Sequence, residues 1–252
     1  MEEYGSFANS QRSSPSGWHY DTYDVSKNFH QISPLVQTHL KQVYLTLCCA
    51  LISSALGVYL HLLWNTGGFL TTLGFIVSIF WLLSTPLYEQ RKRVAILMSA
   101  ALFEGASIGP LMDLAIQVDP SIILSAFVGT AVAFGCFSAA AMLSRRREYL
   151  YLGGLLSSGL SILLWLHFAA STFGGSTAMF EVDLYFGLLL FVGYMVVDTQ
   201  EIIERAHLGD LDYVTHALTL FTDFAAVFVR LVIIMLSNAM EKDKKEKKKK
   251  RS

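Results

Sequence analysis

Two aspartates in the last two apolar stretches are the residues best placed to do chemistry. Asp198 lies in FVGYMVVDTQEIIERA and Asp223 in HALTLFTDFAAVFVRLVIIML. A carboxylate at membrane depth costs about 2.5–3.5 kcal/mol on insertion scales, so it normally faces a partner or a wet cavity. Two such groups on consecutive helices point to each other. In a low-dielectric site both cannot ionise cheaply, so the pair holds a proton and titrates as a unit. With the proton shared, the pair locks the two helices together. Without it the carboxylates repel and present hard oxygen ligands suited to Ca²⁺. A proton and a calcium ion would then compete for one site, with Asp198 and Asp223 as its ligands. The plain alternative is a static helix–helix hydrogen bond with no ion role.

Other polar residues within the apolar stretches are candidates for the same pathway. Arg230 follows Asp223 by seven residues, on the same helix face two turns along. There it either latches onto an acidic group or snorkels to an interface. Glu104 in the third stretch is a further intramembrane acid that could line the pathway. Glu201 and Glu204 read as markers of a helix end, and His61, His167 and His216 as structural residues. Cys48, Cys49 and Cys136 all sit in apolar segments, where they read as small core residues with no metal-ligand spacing.

The elements that must position these residues are membrane helices. Of 252 residues 53% are hydrophobic and only 15% charged, and the mean hydropathy is +0.46. With repeated apolar stretches of spanning length, this composition indicates an integral membrane protein and argues against a nucleic-acid partner. The expected spans are about 43–64, 69–87, 94–118, 121–144, 149–173, 182–203 and 213–238. An amphipathic lead-in, LVQTHLKQVY, suits an interfacial helix before the first. The seventh stretch carries His216, Asp223 and Arg230, so it should be shielded by its neighbours. The expected fold is therefore an all-α integral membrane bundle of seven helices with the seventh, more polar helix central, or six spans plus a re-entrant segment. Residues 1–33 read as a flexible cytosolic tail, 34–238 as the bundle and 239–252 as a basic tail. No cleavable signal peptide is visible, because the first forty residues lack an apolar core.

Loop charges orient the bundle. EQRKR (89–93), RRR (145–147) and the ERAHLGDLD link carry Lys or Arg, whereas WNTGG, QVDP and STFGGSTAM carry none. By the positive-inside rule the basic loops and the N-terminal tail are cytosolic. The tail 241–252 breaks the pattern. It holds eight Lys/Arg against three acids, leaving 11 basic and 17 acidic residues before it. Seven crossings would put it on the far side, yet lysine runs normally stay cytosolic and its end has a dilysine retrieval pattern. A cytosolic tail is therefore favoured, with the last segment re-entrant or only partly spanning, or with the rule failing there. Lys244, Lys245, Lys247, Lys248, Lys249 and Lys250 are the candidate retrieval, lipid or partner contacts.

Small residues recur in SAALFEGASIGP, AFVGTAVAFGCFSAAAM and LGGLLSSGLS, as close helix approach in lipid requires. Gly105, Gly109 and Pro110 could also kink the third span. GASIGPLMDLAIQ followed by AFVGTAVAF resembles the signature of the Bax inhibitor-1 family. The likeness continues through SRRREYLYLGGLLSS and VDTQEIIERAHLGDLDYVTHALTLFTDF into the lysine-rich tail. It covers roughly residues 35–252 and is strongest to eukaryotic, plant-type members. The resemblance implies an endoplasmic-reticulum membrane protein that suppresses programmed cell death under stress and modulates stored calcium. It also implies that the aspartates of the family's pH-sensitive calcium leak fall at Asp198 and Asp223. In a plant-type member the basic tail resembles a calmodulin-contacting segment, and other membrane death-regulatory proteins are implied partners.

No enzyme activity and no bound cofactor are expected, with Ca²⁺ only as a permeant or regulatory ion. The alternatives are a membrane adaptor with no ion pathway and, more remotely, an intramembrane aspartyl protease. For the protease, Tyr194 stands four residues from Asp198, and the LGD of Leu208–Asp210 falls in a loop. A coupled proton–calcium exchanger is a variant of the leak.

Overall fold

A computed structural model describes residues 33–143 and 150–251, apart from the side chains of residues 150, 151, 248, 250 and 251. The expected N-terminal tail and the RRR loop lie outside the described residues. Among those described there are seven helices and no strand: α1 (Pro34–Trp64), α2 (Phe69–Ser84), α3 (Gln90–Val118), α4 (Ser121–Leu143), α5 (Leu150–Phe173), α6 (Thr177–His207) and α7 (Tyr213–Arg251). All but α2 are long and apolar enough to cross a membrane. The chain is an all-α integral membrane protein.

Local chemistry sets several boundaries. Pro34 occupies the first turn of α1, and the Ser33 hydroxyl accepts the Val36 N–H at 3.4 Å. Ser176 accepts the Met179 N–H at 3.3 Å and starts α6 in the same way. These are N-cap hydrogen bonds, which satisfy donors left free by the first turn. Asn65 ends α1 in the left-handed conformation, with φ of 50°.

No break separates the amphipathic lead-in from the first span. Val36, His39, Leu40 and Val43 follow helical spacing and are buried, so the lead-in forms the first turns of α1 rather than an interfacial helix. Nor does Pro110 interrupt α3. Gly105 and Gly57 serve close packing instead. A Cβ on Gly105 would overlap the backbone of Ser54, and one on Gly57 that of Leu102.

α7 packs chiefly against α1, α3, α4 and α6, while α2 lies against α3 and α5 against α6. The more polar seventh helix is therefore central. Its first turns bury Val214, Ala217 and Leu218 together with Val36 and Leu40 of α1. Farther along, Val232 and Leu236 bury beside Met112 and Ile122. α7 thus runs the length of the bundle, from the end where Arg93 starts α3 to the end where Asp119 follows it. Its length and apolar composition suffice for a full crossing. The short element is α2, whose 16 residues span only ~24 Å at 1.5 Å per residue. The described chain begins at the Arg93 end and finishes at the Asp119 end. The expected cytosolic placement of both the N-terminus and the basic tail needs these two ends on one side, whereas the packing puts them at opposite ends of the bundle.

Candidate functional site

Asp198 is held by α6 and Asp223 by α7, and their side chains stand within hydrogen-bonding reach of each other. Apolar and polar contacts fix both helices around them. Met195 and Val197 are buried on α6, the Gln200 amide donates to the Ala141 carbonyl of α4 at 2.7 Å, and Ser138 meets Thr199 at 3.3 Å. On α7, Phe224 stacks edge-to-face on Phe134 and Phe127 of α4, with centroids 5.8 and 5.9 Å apart. Asp223 is 4% exposed, and its Oδ2 has no N–H or hydroxyl donor. Two carboxylates form a hydrogen bond only if one keeps its proton, and a shared proton also relieves the buried oxygen. The pair inferred from the spacing of apolar stretches is the pair that the fold assembles.

The other candidates go elsewhere. Arg230 does not reach the aspartate pair. Its guanidinium lies 4.5 Å from the centroid of Phe191, its Nη1 donates to the Ala226 carbonyl at 3.3 Å, and its charge interacts with Asp183 on α6. Asp183 Oδ1 is 3.2 Å from His167 Nδ1 of α5, too poorly aligned for a hydrogen bond. Glu104 is half-buried on α3 and does not interact with either aspartate. Lys244, Lys245, Lys247 and Lys249 are exposed on the last turns of α7, with Lys245 paired to Glu241 at 2.7 Å and Lys247 to Asp243 at 2.6 Å. The side chains of Lys248 and Lys250 lie outside the described residues.

A second polar cluster closes the Arg93 end, and sequence reasoning missed it. Arg93 is 3% exposed and donates to both carboxylate oxygens of Asp212, at 2.7 and 2.8 Å. It also donates to the Thr215 hydroxyl at 2.9 Å, and that hydroxyl donates to Asp212 Oδ2 at 2.7 Å. Burial alone would raise the Asp212 pKa, but these hydrogen bonds from Arg93 and Thr215 outweigh it and hold the carboxyl below its ordinary value. Beside this clamp His39 Nε2 and His216 Nδ1 are 2.9 Å apart, both rings buried. His216 Nε2 stands 3.9 Å from Asp210 Oδ2. The available signal was weak: an Arg and an Asp, each just outside an apolar stretch, read as loop charges. His61 accepts the Gly67 N–H at 2.7 Å.

Comparison with known proteins matches this architecture. The family model described as "Inhibitor of apoptosis-promoting Bax1" matches residues 36–240. Bax inhibitor 1 of Arabidopsis thaliana is 67% identical over 243 residues, covering 96% of this chain and 97% of that protein. Bax inhibitor 1 of Oryza sativa subsp. japonica is 63% identical over 252 residues, covering all of both chains. Bax inhibitor 1 of Homo sapiens is 41% identical over 231 residues, 90% of this chain and 96% of that one. The family match spans all seven helices, including both halves of the Asp198–Asp223 pair, and the chain belongs to the Bax inhibitor-1 family.

Proposed function

We propose that the chain is a multi-pass protein of the endoplasmic-reticulum membrane that suppresses programmed cell death and modulates stored calcium through a proton-sensitive leak. The suppressor role rests on the names of its relatives. The leak rests on one observation, the buried Asp198–Asp223 contact between α6 and the central α7. A shared proton holds the two helices together, and its loss makes the carboxylates repel in a low-dielectric core. The same loss exposes oxygen ligands to a cation. Ca²⁺ takes six to eight oxygens. Among the described residues no group of three or more His, Cys, Asp or Glu gathers to hold a metal. On this reading calcium is a permeant or regulatory ion at this pair. Asp210 of the protease-like LGD sits in the exposed α6–α7 link, away from the Asp198–Asp223 pair, which favours the leak over the protease reading.

The basic loop EQRKR supports a cytosolic Arg93 end. If α7 crosses completely the lysine tail lies on the opposite side, and a dilysine receptor or calmodulin reads it only where the tail is cytosolic. The adaptor reading is favoured by one feature, the exposed helical run of Lys244, Lys245, Lys247 and Lys249, which suits calmodulin or another acidic protein partner.

Calcium flux into proteoliposomes tests the leak. The wild type is expected to change its flux between pH 6 and 8, and Asp198→Asn and Asp223→Asn to flatten that dependence. Flux and pH response unchanged in both variants would sink the leak. Loss of protection from cell death on truncation after Asn238, with protection kept in both aspartate variants, would favour the adaptor.

A further inference from the structure

The central helix is not fully enclosed. α1 and α4 both pack on α7 without packing closely on each other, and between them lies a groove of about 430 Å³. Its floor is Ala225 and Phe228 of α7, partly exposed although they belong to the central helix. Its mouth is Ala55 of α1 and Leu124 of α4, the latter 67% exposed. Ser54 is the only side chain in the lining with a polar atom other than sulfur.

From these residues we infer that the groove binds one hydrocarbon chain of a bilayer lipid, entering from the headgroup level at the α3–α4 turn. Position and size select this occupant. The groove begins at Pro120 in that turn and follows α4 inward to Phe127, ~10 Å of helix at 1.5 Å per residue. This is the path of an acyl chain whose headgroup lies beside Asp119. The mouth is continuous with exposed Leu124 and Val128, so the medium that meets it is the bilayer. Water is a poor occupant, because apolar cavities stay dry. A partner helix does not fit. One helical turn, about 10 Å wide and 5.4 Å tall, already fills roughly 420 Å³, and the groove has no room for a second.

The seated chain is a structural ligand. Phe224, the neighbour of Asp223, lines the same groove and stacks on Phe127 in its wall, so the lipid braces α7 against α4. This role holds whether or not the aspartate pair passes ions.

Photolabelling of the full chain tests the inference. The protein is reconstituted in phosphatidylcholine vesicles with a few per cent of a phosphatidylcholine carrying a diazirine on its acyl chain, and adducts are mapped by mass spectrometry. The expected result is labelling of α7 at Ala225 or Phe228 as well as of the outer face of α2 at Phe80 and Trp81. Ala225→Trp, which fills the groove, should lower the α7 adduct at least fivefold and leave α2 labelling within twofold. Leu124→Trp at the exposed mouth gives the same readout if the first variant does not fold. Wild-type protein labelled only on outer faces overturns the inference, and so does α7 labelling that persists in a folded, groove-filled variant.

Discussion

Asp223 is nearly excluded from solvent, and its neighbours decide what that burial can do. Leu220, Phe221, Phe224 and Val227 are buried on α7 with it, and among the described residues the acid that interacts with it is Asp198. That pairing was legible in the sequence because each aspartate interrupts a long apolar run, and the cost of such a charge is local. The contacts of Arg230 with Phe191 and the Ala226 carbonyl were not legible, since they depend on how α6 faces α7. Single-residue fit also separates the glycines. A Cβ on Gly105 would run into the Ser54 backbone, whereas the atoms nearest to one on Gly187 belong to the far end of the Arg230 side chain. Overpacking that backbone cannot relieve costs about 1–3 kcal/mol. Gly105→Ala is therefore expected to lower the thermal unfolding midpoint in detergent by several degrees, and Gly187→Ala to change it little. Equal loss in both would contradict the close α1–α3 approach.

At the scale of elements, α7 is anchored at its start by the Arg93–Asp212 clamp and along its length by aromatic contacts with α4. Removing one partner of a buried ion pair costs about 3–5 kcal/mol, because the remaining charge is left uncompensated. Asp212 keeps 13% of its side chain exposed, so Asp212→Asn should cost somewhat less, about 2–3 kcal/mol. The pH dependence has a definite sign. The folded carboxyl lies below the ordinary value, and the unfolded one titrates near about 3.9. The clamp's stabilisation is therefore complete above about pH 4 and declines as pH falls through the folded value. Unfolding midpoints recorded from pH 7 to pH 3 should drop more steeply for the wild type than for Asp212→Asn. Parallel curves would remove Asp212 from the acid response. The helix spans were readable from apolar length, but this clamp was not. Arg93 and Asp212 flank apolar stretches separated by more than a hundred residues, and only the side-by-side start of α3 and α7 buries them together.

At the scale of the whole molecule, the direction of α7 fixes where the two ends of the described chain lie. Val36 packs at the start of α7 and Ile122 near its far end, so residue 33 and the lysine run occupy opposite ends of the bundle. Epitope tags placed before Ser33 and after Ser252 are expected to differ in protease access in sealed microsomes, one cleaved and the other protected. Cleavage of both without detergent would mean that α7 does not cross. The lateral groove belongs to this scale as well, because it exists only through the arrangement of α1, α4 and α7.

What the sequence determined by itself is the set of properties that depend on local composition. These are the all-helical membrane class, the approximate spans, a polar last helix that needs shelter, and two aspartates too costly to stand alone. Tertiary structure decided what depends on which helix faces which. It placed α7 along the full bundle and made α2 the short element. It set Arg230 over the Phe191 ring rather than against the aspartate pair, and it turned two apparent loop charges into a buried clamp. The physical reason is one of range. Transfer free energy acts on each segment separately, whereas partners at a helix interface are set by the register and direction of helices far apart in the chain.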